Sequence, residues 1–427
     1  MHSTLIQKFF WRFILLFLLL YIFPYGLGWG FTDYFENWTL WHKPITWIGE
    51  NLFGWEFNYD NLLIGWDSKF EVCRYLFIFF FGTLLSGIWI YLDQRFGANL
   101  DYEKKLKIFT QTCLRYHLAI VMLHYGLAKV FAYQFGSMDL NTLETPIGDL
   151  SPMSLMWSYL SYSKTVTVFS GWAETIAATL LFFRRTTLLG SVLQVIVLSN
   201  VVLWDIGYSV TVTFYAIQLL LLTLVLLSTQ LKGLYHYFIL NRASKPLEYS
   251  ALFTSAHVKK WVLPIKAVLL IGLSYLFLTD SLSIREKYMD NPYEWFSSSH
   301  KVIGFSINGK AAKDSTSSRN WKKVVFNDVG YFKNSFNVQF QNNKEKRFTY
   351  EVDSINKSIR YKEHDKDETP WNLMRYQTSA ENDQLFENEF MFYTTLNGDT
   401  IKAKTRFKTM EDFLLMKRGK RWIIDLK

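Results

Sequence analysis

Residues 108–131 read IFTQTCLRYHLAIVMLHYGLAKVF. As a helix rising about 1.5 Å per residue, this mostly apolar stretch is long enough to cross a hydrocarbon core about 30 Å thick. Yet it carries Arg115, His117, His124 and Lys129. A charged side chain at mid-bilayer costs roughly 2.5–3.5 kcal/mol on insertion scales. Such a helix cannot face lipid all round, so its polar groups need partners on neighbouring helices or a wet cavity. The stretch therefore predicts an α-helical membrane bundle rather than a lone anchor.

Working outward, six more apolar runs qualify: 9–29, 72–92, 166–183, 187–204, 210–227 and 261–279. The fourth and fifth spans are short and are joined by Arg184-Arg185, as in a tight helical hairpin. Basic residues alternate across the loops. Lys8, then Arg95, Lys104, Lys105 and Lys107, then Arg184 and Arg185, then Lys232, Arg242, Lys245, Lys259 and Lys260 fall on one side. The opposite loops hold only Lys43, Lys69 and Lys164. The positive-inside rule then puts the N-terminus in the cytoplasm and, after seven spans, the C-terminal domain outside, as in a multi-pass protein of a bacterial inner membrane. Lys8 and Arg12 before Phe13–Phe23 resemble a secretory signal. No small-residue cleavage site follows, so the segment reads as an uncleaved first span.

The two halves of the chain differ in composition. Residues up to 280 carry nearly all the apolar runs, with 20 Lys/Arg against 17 Asp/Glu, and the remainder carries 26 against 20. No basic tract is dense enough for nucleic-acid binding. Cys73 and Cys113 both fall inside spans, which excludes a disulfide framework or a Cys-rich metal site. From about 300 the period becomes two: Phe336, Val338 and Phe340 alternate with polar residues, as do Phe348, Tyr350 and Val352. Asn397-Gly398 marks a hairpin between 390–395 and 400–407, and Arg418-Gly419 marks another between 413–416 and 421–424. Six to eight strands are expected, as an all-β antiparallel barrel or sandwich. Segment 361–370 reads as a charged surface loop, and no metal site is assigned. The domains expected are 1–107, two spans with an outer loop rich in Trp (Trp38, Trp41, Trp47, Trp55, Trp66) that lies on the membrane surface or re-enters it; 108–230, a four-helix core; 231–285, a cytoplasmic loop and the last span; and 286–427, an extracytoplasmic β domain.

The polar residues of the spans form the candidate site. Counted from the inner end, Arg115 lies about 10 Å deep, His117 about 14 Å and His124 about 24 Å, with Glu174 of the next span about 14 Å deep. That level suggests an Arg115–Glu174 pair. Tyr125 precedes Lys129 by one turn on the same face. Asn200 and Gln218 add polar groups from later spans. A lysine in an apolar site can serve as a base near neutral pH, which makes Lys129 the first candidate for proton chemistry, with His117 and His124 as relays. Tyr125, Arg115, Glu174, Asn200 and Gln218 would bind a ligand.

Tyr125-Gly126-Leu127-Ala128-Lys129-Val130-Phe131, together with Thr145-Pro146-Ile147-Gly148, Glu174 and Arg184-Arg185-Thr186, resembles the DoxX-like bacterial membrane proteins. That superfamily includes the HTTM domains and the vitamin K-dependent gamma-carboxylase. The resemblance spans about 108–230. It implies a four-helix core and a quinone-linked, redox-associated role, with quinone or membrane lipid as ligand and a quinone-linked oxidoreductase component as the enzymatic possibility. Gly126-Leu127-Ala128-Lys129 is similar to the carboxylase segment whose lysine acts as base, with Lys129 at its second lysine and Ala128 at its first. Two rival readings remain: a non-catalytic binding or assembly protein acting through its β domain, and a small transporter, for which no clear internal repeat is visible. No protein partner is indicated.

Overall fold

The computed structural model describes residues 4–23, 39–59, 62–97, 100–242, 256–289, 296–312, 318–327, 334–364, 370–396 and 398–417. The chain divides into two units, Met1–Val130 with Thr165–Thr279, and Phe131–Lys164 with Asp280–Lys427. Segment 131–164, an outer loop by sequence, thus groups with the β region.

The first unit is helical. It comprises α1 (Leu5–Ile22), α2 (Thr39–Phe53), α3 (Lys69–Phe96) and α4 (Leu100–Val130), then α7 (Lys164–Leu181), α8 (Thr187–Gly207), α9 (Thr213–Ser228) and most of α10 (Ala256–Met289). Helix starts follow capping chemistry: Thr4 and Gln7 form a reciprocal capping box on α1, and Ser68 accepts from the Glu71 N–H on α3. Gly97 ends α3 in the left-handed conformation.

Helices cover most of the described residues of the seven segments expected to span, and 24–29 of the first lie outside the described residues. Among the described residues, four stretches are long and apolar enough to cross a membrane: Leu5–Ile22, Lys69–Phe96, Arg184–Gly207 and Lys260–Lys287. Thr213–Ser228 with Leu231–Ile239, bent by 67°, makes a fifth if the pair is one broken span. The chain is thus built as a multi-pass membrane protein. In α4, Gln111, Arg115, His117 and His124 interrupt the apolar run and lower its hydropathy. Apolar side chains of α1, α4, α7, α8 and α9 meet in one core, centred on Leu18, Leu118, Leu181, Leu198 and Leu219.

The Trp-rich loop folds back as α2 against α3, with Ile45, Ile48, Phe70 and Cys73 at the contact. Gly49 permits this, since a Cβ there would meet the Phe57 ring at 2.6 Å and Cys73 Sγ at 2.9 Å. Trp47 and Trp66 remain exposed, and Trp29 and Trp38 lie outside the described residues. Both cysteines are free thiols.

The second unit holds a closed eight-stranded antiparallel barrel. Its strands are β1 (Ser299–Ile307), β3 (Trp321–Phe326), β4 (Ser335–Phe340), β5 (Glu345–Asp353), β6 (Ser358–Glu363), β7 (Asn372–Gln377), β8 (Glu389–Leu396) and β9 (Asp399–Lys408), with β2 (Lys310–Ala311) a short hairpin arm on β1. Each strand pairs with the next, and β9 returns to β1, which removes both sheet edges. Phe336, Val338, Phe348 and Tyr350 face the interior, as their period requires. The 397–398 turn joins Leu396 to Asp399 as a two-residue hairpin, with Gly398 at φ +82°, although Asn397 itself lies outside the described residues.

Helix α5 (Leu140–Glu144) packs on this barrel. Glu144 accepts from Ser299 Oγ at 2.9 Å and pairs with Lys323 at 3.3 Å, and Asn141 donates to Asn327 at 2.6 Å. Helix α6 (Pro152–Tyr162) follows, capped by Ser151.

Two strand-level expectations are corrected. Residues 413–416 are not a strand: Thr409 and Asp412 form a capping box, and Leu414–Lys417 coil into one helical turn. Their expected partner at 421–424, with the Arg418-Gly419 turn, lies outside the described residues. The surface loop at 361–370 begins late, because Tyr361–Glu363 belong to β6 and Tyr361 is buried with its hydroxyl bonded to Thr394. Residues 365–369 lie outside the described residues.

Candidate intramembrane polar site

Helices α4 and α7 cross through two glycines. A Cβ on Gly126 would stand 2.4 Å from Thr175 Oγ1 and 3.0 Å from the Gly171 carbonyl, and one on Gly171 would stand 2.7 Å from the Gly126 carbonyl. Small residues of this kind let helix backbones touch inside a membrane. Thr167, Gly171 and Thr175 repeat every four residues on α7 and form its contact stripe.

Three residues beyond each glycine stand Lys129 and Glu174. Lys129 Nζ donates to both carboxylate oxygens of Glu174, each at 2.8 Å, and both residues are buried. Removing either partner of such a pair leaves an uncompensated buried charge, typically a cost of about 3–5 kcal/mol. The ammonium also lies 5.8 Å from the centre of the Tyr125 ring. A line of aromatic faces leads away from it: Tyr125 to Tyr215 at 6.3 Å, then Tyr215 stacked on Tyr21 at 5.9 Å. Arg74 closes the line, 4.3 Å over the Tyr21 ring, bonded to Glu71 at 2.7 Å and to the Tyr21 carbonyl at 3.0 Å.

Asp205, buried near the end of α8, lies within electrostatic reach of Lys129 and of Asp67. Asp67 accepts from the N–H groups of Thr213 and Phe214 at 2.8 and 3.1 Å and so caps α9. Asp205 Oδ2 has no hydrogen-bond partner among the described residues. The same holds for both ring nitrogens of His117, both amide groups of Gln194 and Gln218, and Ser191 Oγ. Leaving such groups unpaired costs about 1–3 kcal/mol each, so they are places where a polar ligand gains most.

The expected pairing of Arg115 with Glu174 is wrong. Arg115 instead reaches Thr187 Oγ1 at 3.5 Å and lies over the Tyr116 ring. The depth count took helix ends from hydropathy, whereas the level of Glu174 is set by the Gly126–Gly171 crossing. His124 meets Tyr125 and Phe277 edge-on, and the His117 side chain is buried elsewhere on α4. Asn200 does not join the site: it is exposed, and its amide donates back to the Ile196 carbonyl one turn earlier. Gln218 is buried on α9.

Several charged residues of the bundle were not singled out by sequence. Asp205 reads as loop because it follows Trp204 at the end of a run. Glu71 and Arg74 sit three apart at the start of α3, a spacing that points to a pair. Arg12, fully buried, binds Asp93 and Glu103, the latter at 2.8 Å, and so ties α1 to α3 and α4.

No family model matches the chain, and no solved structure does. It is similar to a protein of Bacillus subtilis (strain 168) named Uncharacterized protein YwoB, with 33% identity over 113 residues, 26% of this chain and 71% of that one.

Proposed function

The chain belongs to the same family as YwoB of Bacillus subtilis, and we propose that it binds the polar head of a quinone or membrane lipid beside the Lys129–Glu174 pair. The observation that carries this reading is one buried cation beside two buried carboxylates, at the head of a run of three tyrosine rings, Tyr125 tilted against Tyr215 and Tyr215 stacked on Tyr21. Ionisable groups inside a membrane are costly and tend to mark ligand or proton pathways. Lys129 would donate to a carbonyl or anionic oxygen, Glu174 or Asp205 would accept from a hydroxyl, and Tyr125, Tyr215 and Tyr21 would flank a flat ring. His117 and His124 on the same helix would pass protons.

The DoxX-like motif at 125–131 supports a redox-associated role. The loop charges support seven crossings of a bacterial inner membrane, with the N-terminus in the cytoplasm and the barrel outside. The barrel interior is filled by Phe326, Phe336, Tyr350 and Phe392, so the rival reading, action through the β domain, would need a partner on its outer surface.

Extraction of lipids from the purified full chain, followed by mass spectrometry, tests the proposal. A quinone or a single lipid class should be retained at near-stoichiometric level by the wild type and fall at least fivefold in Lys129→Met. An unchanged lipid profile in a folded variant would refute it.

A further inference from the structure

The strand directions sort the barrel's connections onto two ends. One end gathers the start of β1, the end of β3, the β5–β6 turn, the β7–β8 loop and the exit of β9. The other gathers the β1–β2, β4–β5 and β8–β9 turns and the β6–β7 connection. The described residues of its tight turns are polar or glycine, Asn308, Gly309, Asn342, Asn343, Lys344 and Gly398, and its one large exposed apolar side chain among the described connecting residues is Trp371, at 38% before β7.

The first end presents large apolar side chains instead. Ile355 is 91% exposed at the tip of the β5–β6 turn, Phe386 is 70% exposed in the β7–β8 loop, and Leu414 is 65% exposed after β9. The Ile355 turn is held together by the Asp353 side chain. Asp353 accepts from the N–H groups of Ile355 and Asn356, each at 3.0 Å, and Asn356 Nδ2 returns a bond at 2.7 Å. Nothing in that turn requires an apolar residue at its tip, where polar or small residues are favoured.

The chain itself indicates what covers these side chains. The first end is where β1 begins, and only nine residues, 290–298, separate Met289 of α10 from Ser299. The ten Cα–Cα steps from Met289 to Ser299 reach at most about 36 Å. Helix α5 is bonded to the same end through Glu144, and its segment continues directly from α4 and into α7. Two lysines there have acidic neighbours, Lys357 with Glu381 at 3.5 Å and Lys417 with Asp412 at 3.8 Å, and Lys408 lies over the Phe413 ring.

We propose that Ile355, Phe386 and Leu414 insert into the interface of the bilayer that the chain spans, so that the barrel docks on lipid by apolar contact rather than by attraction to anionic headgroups. Isolated apolar side chains of this kind anchor proteins at membrane interfaces in proportion to the area they bury. The proposal is independent of the ligand assigned to Lys129.

The test uses the full chain in phosphatidylcholine nanodiscs. A spin label at Ile355→Cys, with Cys73 and Cys113 changed to Ala, should collide with oxygen more than with a water-soluble nickel chelate. A label at Asn343→Cys should show the reverse. A second arm keeps both cysteines and places photoreactive benzoylphenylalanine at Phe386, which should yield a lipid adduct absent when the group replaces Asn343. Adding 30% anionic lipid should change that yield less than twofold. Equal nickel access at 355 and 343, absence of the lipid adduct, or an adduct of chain-dimer mass would each overturn the proposal.

Discussion

His300 shows at the residue scale how a polar group is kept inside an aromatic core. Its ring nitrogens meet Ser298 Oγ at 2.8 Å and Thr405 Oγ1 at 3.1 Å, among the rings of Phe326, Phe390, Phe392 and Phe407. Burial disfavours the charged ring and lowers its pKa to about 3. The unfolded ring binds a proton below about 6.5 while the folded ring does not, so stability is lost as pH falls from 6.5 toward 3, by about 1.4 kcal/mol per pH unit. Hydrogen exchange of the barrel strands in the full chain, read by mass spectrometry across that range, should show this slope. His300→Gln, which retains hydrogen-bonding groups, should flatten it. The sequence made the candidate residues of α4 legible, because charges inside an apolar run stand out. It did not show which acid meets which base. Pairing depends on where two helices touch, and Glu174 took Lys129 instead of Arg115 for that reason alone.

At the scale of elements, the α4–α7 crossing rests on the absence of two side chains. A Cβ at Gly171 would lie 2.7 Å from both the Gly126 carbonyl and the Val130 N–H, and backbone cannot step aside. Gly171→Val should therefore push the helices apart and lower thermal stability in detergent by about 1–3 kcal/mol, the usual range for overpacking. Gly87→Ala on α3, where a Cβ meets nothing within 4 Å, should be neutral or slightly stabilising. The Thr167-Gly171-Thr175 spacing was available in the sequence as a small-residue stripe. The strands of the barrel were readable from their period of two and from Asn397-Gly398. Residues 413–416 misled because an apolar tetrapeptide fits either period, and the capping box of Thr409 decided for a helical turn.

For the molecule as a whole, composition separated the membrane helices from the β region. It could not show that segment 131–164 groups with the barrel, because that depends on single contacts such as Glu144 with Ser299 and Lys323. Nor could it decide between barrel and sandwich, since closure is one more pairing, β9 with β1, between strands about 100 residues apart. The central claim is that the paired charges of α4 and α7 form a ligand site and not only a brace. Exchanging them, Lys129→Glu with Glu174→Lys, tests it most directly, with binding of a short-chain ubiquinone analogue and of the co-purifying lipid measured beside the melting temperature. The account predicts that the exchanged pair restores most of the stability lost by either single change, yet binds at least tenfold more weakly than the wild type. Wild-type affinity in the exchanged protein would contradict it and reduce the pair to a structural brace.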